Sequence, residues 1–242
     1  MKYRMNLGYD GTHYSGWAVQ PNQLSIQGEI EKALGIAMRT QIQIVGSGRT
    51  DSGVHARFQV AHFLHDSSLS LSSLCRALNG ILPRDIRIYE ILPVEERFHA
   101  RFSVKKKVYR YYFSSIPDPF NYKYSYYIRS PFINWDLLKK ALPMFVGTHD
   151  FSAFASSGCG AKNSTKTLYA LEIIPQERGW LLEFQGNGFL YKMVRNITGT
   201  LLEIALNKRP LDDIKRILDS KDRSQAGPTA PAYPLFLHTV HY

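Results

Sequence analysis

One stretch of the sequence, residues 46–63, gathers the residue types of a reacting site. Asp51 is the only acid on its glycine-bracketed turn, with Arg49 ahead of it and His55 and Arg57 behind. Strand-like runs flank the turn, residues 41–45 before it and 58–64 after it. A carboxylate held among cations at such an edge suits nucleophilic attack on an anionic substrate, and a nearby positive charge keeps it ionised at neutral pH. Gly46, Gly48 and Gly53 permit positive φ and close approach of a ligand backbone. The same string also reads as an ordinary loop in which Asp makes a local turn. A phosphate-binding P-loop is a poor fit, because no Gly-Lys-Ser/Thr follows and the chain next goes extended. His55, His62 and His65 lack zinc-framework spacing, and Cys75 and Cys159 are far apart, so no metal site is expected.

The elements that must position these residues follow from composition and periodicity. The chain has 242 residues, 44% of them hydrophobic, enough for one large domain or two small ones. The formal charge of +10, with 15 tyrosines, points toward nucleic acid through phosphate neutralisation and base stacking. A merely basic protein fits the charge equally well. Two distant cysteines fit a reducing compartment, and the N-terminus lacks an apolar signal core. No apolar run is long enough for a bilayer, so a cytoplasmic protein without membrane contact is expected.

Residues 2–9 alternate as a strand, and Ser25 opens a helix with Ile26, Ile30, Ala33, Leu34 and Ala37 on one face. The strands around Ile42 and Val60 follow. A helix over 70–79 comes next, with Gly80 as its stop, and then a strand over 85–92. The order strand, helix, strand, strand, helix, strand is the split β-α-β signature of ferredoxin-like and RNA-recognition-like sheets. The second half repeats the theme more loosely. Strands are expected at 105–113, 165–174, 180–186 and 235–241, and helices at 136–145, 191–206 and 211–218. Residues 117–119 and 156–163 read as exposed loops. The fold class expected is therefore α/β (α+β) with two such domains, residues 1–103 and 104–242.

Three further groups could join the chemistry. Tyr9-Asp10-Gly11 with Gly16-Trp17 reads first as a turn beside a packed Trp. In the strand after Lys105, Tyr109 and Tyr111 share one face, and Lys106 and Arg110 the other. This is either a solvated basic edge or an aromatic platform beside phosphate-binding cations. Arg195 sits in a helix whose apolar positions are core, and is either a surface charge or a group reaching a site.

The ordered set GRTDSGVHA, FHARFS, YRYYF and MVRNITG, with the opening YDGTHYSGWAVQPN, resembles the tRNA pseudouridine synthase A family from Tyr9 to the terminal strand. Two departures stand out. Ala18-Val19-Gln20 replaces a Gln directly after the Trp, and Ala232-Tyr233-Pro234-Leu235 lacks a Gly before the Leu. The second bears on the local shape near Leu235. The resemblance implies isomerisation of uridine to pseudouridine in the anticodon stem-loop of tRNA, without cofactor or metal. It implies that Asp51 is the nucleophile. By the same resemblance Tyr109 would stack on the target base and help remove its C5 proton. It further implies that Arg195 pairs with Asp51, that Arg49 holds the flipped nucleotide, and that Leu235 lines the pocket. Arg101, Lys106 and Arg110 would grip the RNA backbone. It also implies a homodimer, with sheets joined into one extended antiparallel surface around a cleft.

Three other classes fit less of the sequence. A non-catalytic RNA-binding module leaves Asp51 unexplained, since a carboxylate repels phosphate. A nucleoside hydrolase normally needs paired carboxylates, and only Asp10 could be the second. A scaffold protein gives no reason for the motif set.

Overall fold

The computed structural model describes residues 1–65, 70–130, 132–161 and 163–242; of the loop expected at 156–163, residue 162 lies outside the described residues. The chain begins with β1 (Lys2–Tyr9), α1 (Ile26–Met38), β2 (Val45–Gly46), β3 (His55–Leu64), α2 (Leu71–Ile81) and β4 (Ile86–Val94). There follow β5 (Lys106–Ser114), β6 (Tyr126–Tyr127), α3 (Trp135–Ala141), β7 (Gly147–Asp150), β8 (Thr165–Gln176), β9 (Gly179–Gly186), α4 (Met193–Ala205) and α5 (Asp213–Ser220). The strand β10 (Leu235–His241) closes the chain. Strands and helices in this mixture give the α/β class expected. No helix among the described residues is long and apolar enough to cross a membrane.

Two compact units result, Met1–Lys105 with Phe236–Tyr242, and Lys106–Leu235. In the first unit the strands run β4-β1-β3, antiparallel, the split β-α-β arrangement of the sequence. The outer edge of β3 is shared. Near its end β2 pairs with it (Val45↔His62, Gly46↔Ala61), and near its start β10 pairs in parallel (Phe236↔His55, Leu237↔Ala56). The division at 103/104 gave the closing strand to the second half, whereas this pairing groups Phe236–Tyr242 with the first unit. The helices contribute Ile26, Ile30, Leu34, Leu74 and Leu78 to a core shared with Met5, Leu7 and Phe63. Apolar burial of this kind stabilises by about 25 cal/mol per Å².

Helix starts were the local features the sequence specified best. Ser25 caps α1, its side chain accepting from Gly28 N at 3.2 Å, and Ser70 caps α2, accepting from Ser73 N at 3.3 Å. The strand expected at 41–45 shrinks to Val45–Gly46. Ile42 and Ile44 are buried in alternation, but α1 takes over the ladder's role. Glu31 Oε1 accepts from Ile44 N at 2.9 Å, and Gln27 Nε2 donates to Ile44 O at 3.2 Å. Gly80 is not a stop. The helix runs through it to Ile81, and Leu82 turns extended (φ −66°, ψ 146°) because Pro83 follows.

In the second unit the antiparallel order is β5-β9-β8-β7, with β6 parallel to the end of β5. The helix expected over 136–145 is α3 followed by a 3-10 turn, Leu142–Phe145, because Pro143 has no N–H for the α ladder. The helix expected from 191 starts at Met193, since Lys192 is left-handed (φ 59°, ψ 9°). The short strands β6 and β7 were not anticipated.

Gly80 is exposed, and a Cβ there would meet nothing within 4 Å. Gly80→Ala is expected to stabilise by about 0.5–1 kcal/mol, the helix-interior cost of glycine. Thermal unfolding checks this as a raised midpoint.

Candidate active site

Asp51 lies half-buried on the loop between β2 and β3, and Arg49 on the same loop is exposed. The loop is tied down from both ends. Ser47 N donates to Val60 O at 2.7 Å, and Ser47 Oγ donates to Gln59 Oε1 at 2.5 Å. Gln59 Nε2 donates to Gly48 O at 3.0 Å. Thr50 Oγ1 and Tyr9 Oη are 2.8 Å apart. Ser47 and Gln59 are wholly buried, so a polar floor lies under the loop. Burial pushes the Tyr9 phenol well above its ordinary value, so it stays neutral in this floor.

The segment after β1 forms the loop's other wall. Trp17 N donates to Thr50 O at 3.1 Å, Gly53 N to Tyr14 O at 3.3 Å, and Ser52 Oγ to Tyr14 O at 3.2 Å. Gly16 (φ +98°) lets the chains touch, since a Cβ there would sit 2.6 Å from Thr50 O. A Cβ on Gly46 would sit 2.6 Å from the Trp17 ring. Trp17 is therefore the packed residue expected, and Gly46 makes room for it rather than for a ligand backbone.

His55 is fully buried and stacks on Phe236 at 4.5 Å. Its Nδ1 is 3.0 Å from Gly11 N and 3.0 Å from Asp10 Oδ1, and can serve only one of them at a time. Asp10 Oδ1 also accepts from Thr12 N at 2.9 Å and Thr12 Oγ1 at 2.5 Å. Asp10, the one candidate for a second carboxylate, thus organises its own turn. Arg101 is exposed on a separate loop of this unit, its guanidinium 5.6 Å from the Phe102 ring.

The remaining candidates lie in the second unit. Tyr109 is buried on β5 opposite Phe184 of β9 and meets Phe189 edge-on at 5.0 Å. Arg110 faces away from it and pairs with Glu183 at 2.7 Å. Lys106 Nζ donates to Gln185 Oε1 at 3.2 Å on the same face. β5 is paired with β9 along its length, so the row is no bare edge, and Arg110 is already matched by a nearly buried carboxylate. Arg195, in the first turn of α4, donates from Nε to Ala230 O at 2.8 Å. Leu235 is buried, and its N–H donates to Ala232 O at 2.9 Å in the turn that lacks the family's Gly.

Sequence reasoning placed Tyr111 on the face of Tyr109 without giving it a role of its own, and passed over Gln59. Tyr111 is wholly buried beside Tyr109, and its hydroxyl has no hydrogen-bond partner among the described residues. Burial, reinforced by Tyr233 and Tyr126, pushes its phenol far up, against the opposing pull of Arg195. Gln59 stands in the strand-like run expected at 58–64, where alternation alone could have marked it as an inward polar residue.

Residues 7–103 and 141–242 match a family profile described as tRNA pseudouridine synthase. The chain is 49% identical over 246 residues to "tRNA pseudouridine synthase A 1" of Protochlamydia amoebophila (strain UWE25), covering 99% of this chain and 96% of that one. It is 42% identical over 246 residues to "tRNA pseudouridine synthase A" of Latilactobacillus sakei subsp. sakei (strain 23K), covering 100% and 98%. It is 45% identical over 241 residues to the protein of that name from Chlamydia felis (strain Fe/C-56), covering 98% and 90%. With a profile matched over most of its length and relatives this similar from end to end, the chain belongs to the tRNA pseudouridine synthase family and is an isomerase of that kind.

Proposed function

We propose that the chain isomerises uridine to pseudouridine in the anticodon stem-loop of tRNA, with Asp51 as nucleophile. The observation that carries this reading is the placing of Asp51. It is half-buried on a loop where buried polar groups hold Ser47, Gly48 and Thr50, as a reacting group's support must be. The base is first turned out of its stack. The C1′–N1 bond then breaks and the uracil rotates. A C1′–C5 bond forms, N1 gains a proton and C5 releases one. Nucleophilic attack by the carboxylate divides this exchange into two easier steps.

In this reading Tyr109 stacks on the base and serves the C5 proton transfer, and Arg195 is the carboxylate's cation. Arg49, exposed beside Asp51, holds the turned-out nucleotide, and Leu235 supplies apolar lining. The reading needs no cofactor or metal. It has the protein acting as a homodimer in the cytoplasm, where its tRNA is.

Asp51→Asn keeps the side-chain volume and removes the nucleophile. Pseudouridine formation on unmodified tRNA is expected to fall roughly 10⁴-fold or more, the scale on which losing a nucleophile or its partner acts. Tritium release from C5-labelled uridine measures it, and a rate near wild type would overturn Asp51's role.

Tyr109→Phe keeps the stacking face, so tRNA affinity should hold while most turnover is lost. Tyr109→Leu removes stacking worth about 1–3 kcal/mol, so both should fall. Full activity in the Phe variant would leave Tyr109 as a platform alone.

Arg101 and Arg110 should separate cleanly. Arg101→Gln is expected to lower the slope of log affinity against log salt by about one, with unfolding unchanged. Arg110→Gln strands the nearly buried Glu183, so its main effect should be a lowered thermal midpoint. The reverse pattern in filter binding and calorimetry would reassign the two.

A further inference from the structure

The residue following Arg195 is a fully buried asparagine, an unusual choice inside a helix. Every hydrogen-bonding capacity of the Asn196 amide is filled. Its Nδ2 donates to Phe154 O at 2.7 Å and Ser156 Oγ at 3.3 Å. Its Oδ1 accepts from Thr229 Oγ1 at 2.7 Å and Arg223 Nη2 at 3.0 Å. A flipped amide would set donor against donor, so its orientation is fixed. Arg223 also donates from Nη2 to Thr229 Oγ1 at 3.0 Å and from Nη1 to Ala226 O at 3.3 Å. Its hydrogen bonds thus go to neutral oxygens, and none of them neutralises its charge.

These bonds fasten the segment 223–230 along α4. Thr200 Oγ1 accepts from Gly227 N at 2.9 Å and donates to Asn196 O at 2.9 Å. A Cβ on Gly199 would lie 1.7 Å from Pro228 O, so the two backbones touch. Ala230 follows Thr229 and ends the segment. Its N–H donates to Arg195 O at 3.1 Å, and its carbonyl accepts from Arg195 Nε at 2.8 Å. Two consecutive residues of the segment, 229 and 230, therefore grip two consecutive residues of the helix, 196 and 195. Because the guanidinium is planar, committing Nε to Ala230 O fixes the plane in which the terminal nitrogens lie.

We infer that Asn196, Arg223 and Thr229 are positioning residues that aim Arg195 through the Ala230 carbonyl. The inference rests on the role given above to Arg195. No part of the segment need touch substrate; it holds the arginine within the narrow tolerance a reacting site demands.

The test is a double-mutant cycle on single-turnover pseudouridine formation, with tRNA affinity measured separately. Thr229→Val keeps the shape and deletes the hydroxyl that joins Asn196 to Arg223. It should slow the step about 10- to 100-fold, the cost of a misplaced group, with affinity little changed. Thr229→Ser restores the hydroxyl and should restore the rate, and Asn196→Asp should be slow. In an Arg195→Ala background Thr229→Val should cost nothing further, whereas a general loosening of the fold would cost the same factor again. Circular dichroism establishes that each variant is folded. A folded Thr229→Val at wild-type rate, or a loss carried undiminished into the Arg195→Ala background, overturns the inference while leaving Arg195's role intact. Wild-type turnover by Arg195→Ala alone overturns that role, and the inference with it.

Discussion

The 2.8 Å contact between the Tyr9 phenol and the Thr50 hydroxyl ties the loop carrying Asp51 to the central strand of its unit. Tyr9 ends β1, which is bracketed by β3 and β4 and cannot move without them. The register shifts on both sides of β1 near Leu7, a bulge that re-aims the last side chain of the strand. Around this tie the floor must be complete, because a buried donor or acceptor left unpaired costs about 1–3 kcal/mol. Gln59 meets that demand by accepting from Ser47 and Val60 and donating to Gly48. The loop is thus held by polar satisfaction, with Asp51 half-buried and Arg49 exposed upon it.

The second unit solves a different problem. On β5 the sequence alternates charge and ring, and the sheet sorts them. Tyr111 and Phe113 enter the apolar side, where Phe113 stacks on Trp180 at 3.8 Å. Arg110 turns to the other side, where Glu183 meets it from the neighbouring strand. Removing Glu183 from water is tolerable because it is held twice, by Arg110 Nε and by Gln185 Nε2 at 2.8 Å. The pairing commits Arg110 to a carboxylate within its own sheet.

How much was legible in the sequence depended on the range of the interaction. Ser25 and Ser70 announced their helices because a cap acts within three residues. Ile42 and Ile44 alternated like a strand, yet Glu31 and Gln27 of α1 satisfied that backbone instead, a choice no local pattern records. Gly80 looked like a stop, but Pro83 decided where α2 ended. The Asp51 motif could be read as a site, whereas Gln59 beneath it could not be told from any inward polar residue. The parallel pairing of Phe236 with His55 joins residues far apart along the chain, and their local patterns carry no trace of it.

The formal charge of +10 gains meaning only when the committed cations are set aside. Arg209 is bound to Glu203 and Asp213, Arg216 to Asp213, and Arg110 to Glu183. Arg223 donates to neutral oxygens inside the second unit and is held below its usual range by burial. Each such arginine counts toward the net charge but would have to abandon a good partner to meet a phosphate. Arg49 and Arg101 are different, since both stand exposed, one on the Asp51 loop and one over an exposed ring. An anionic polymer is steered by the whole field but held by the cations that lose least on contact. On that ground Arg49 and Arg101 would lose less on meeting a phosphate than Arg110, which would have to leave Glu183.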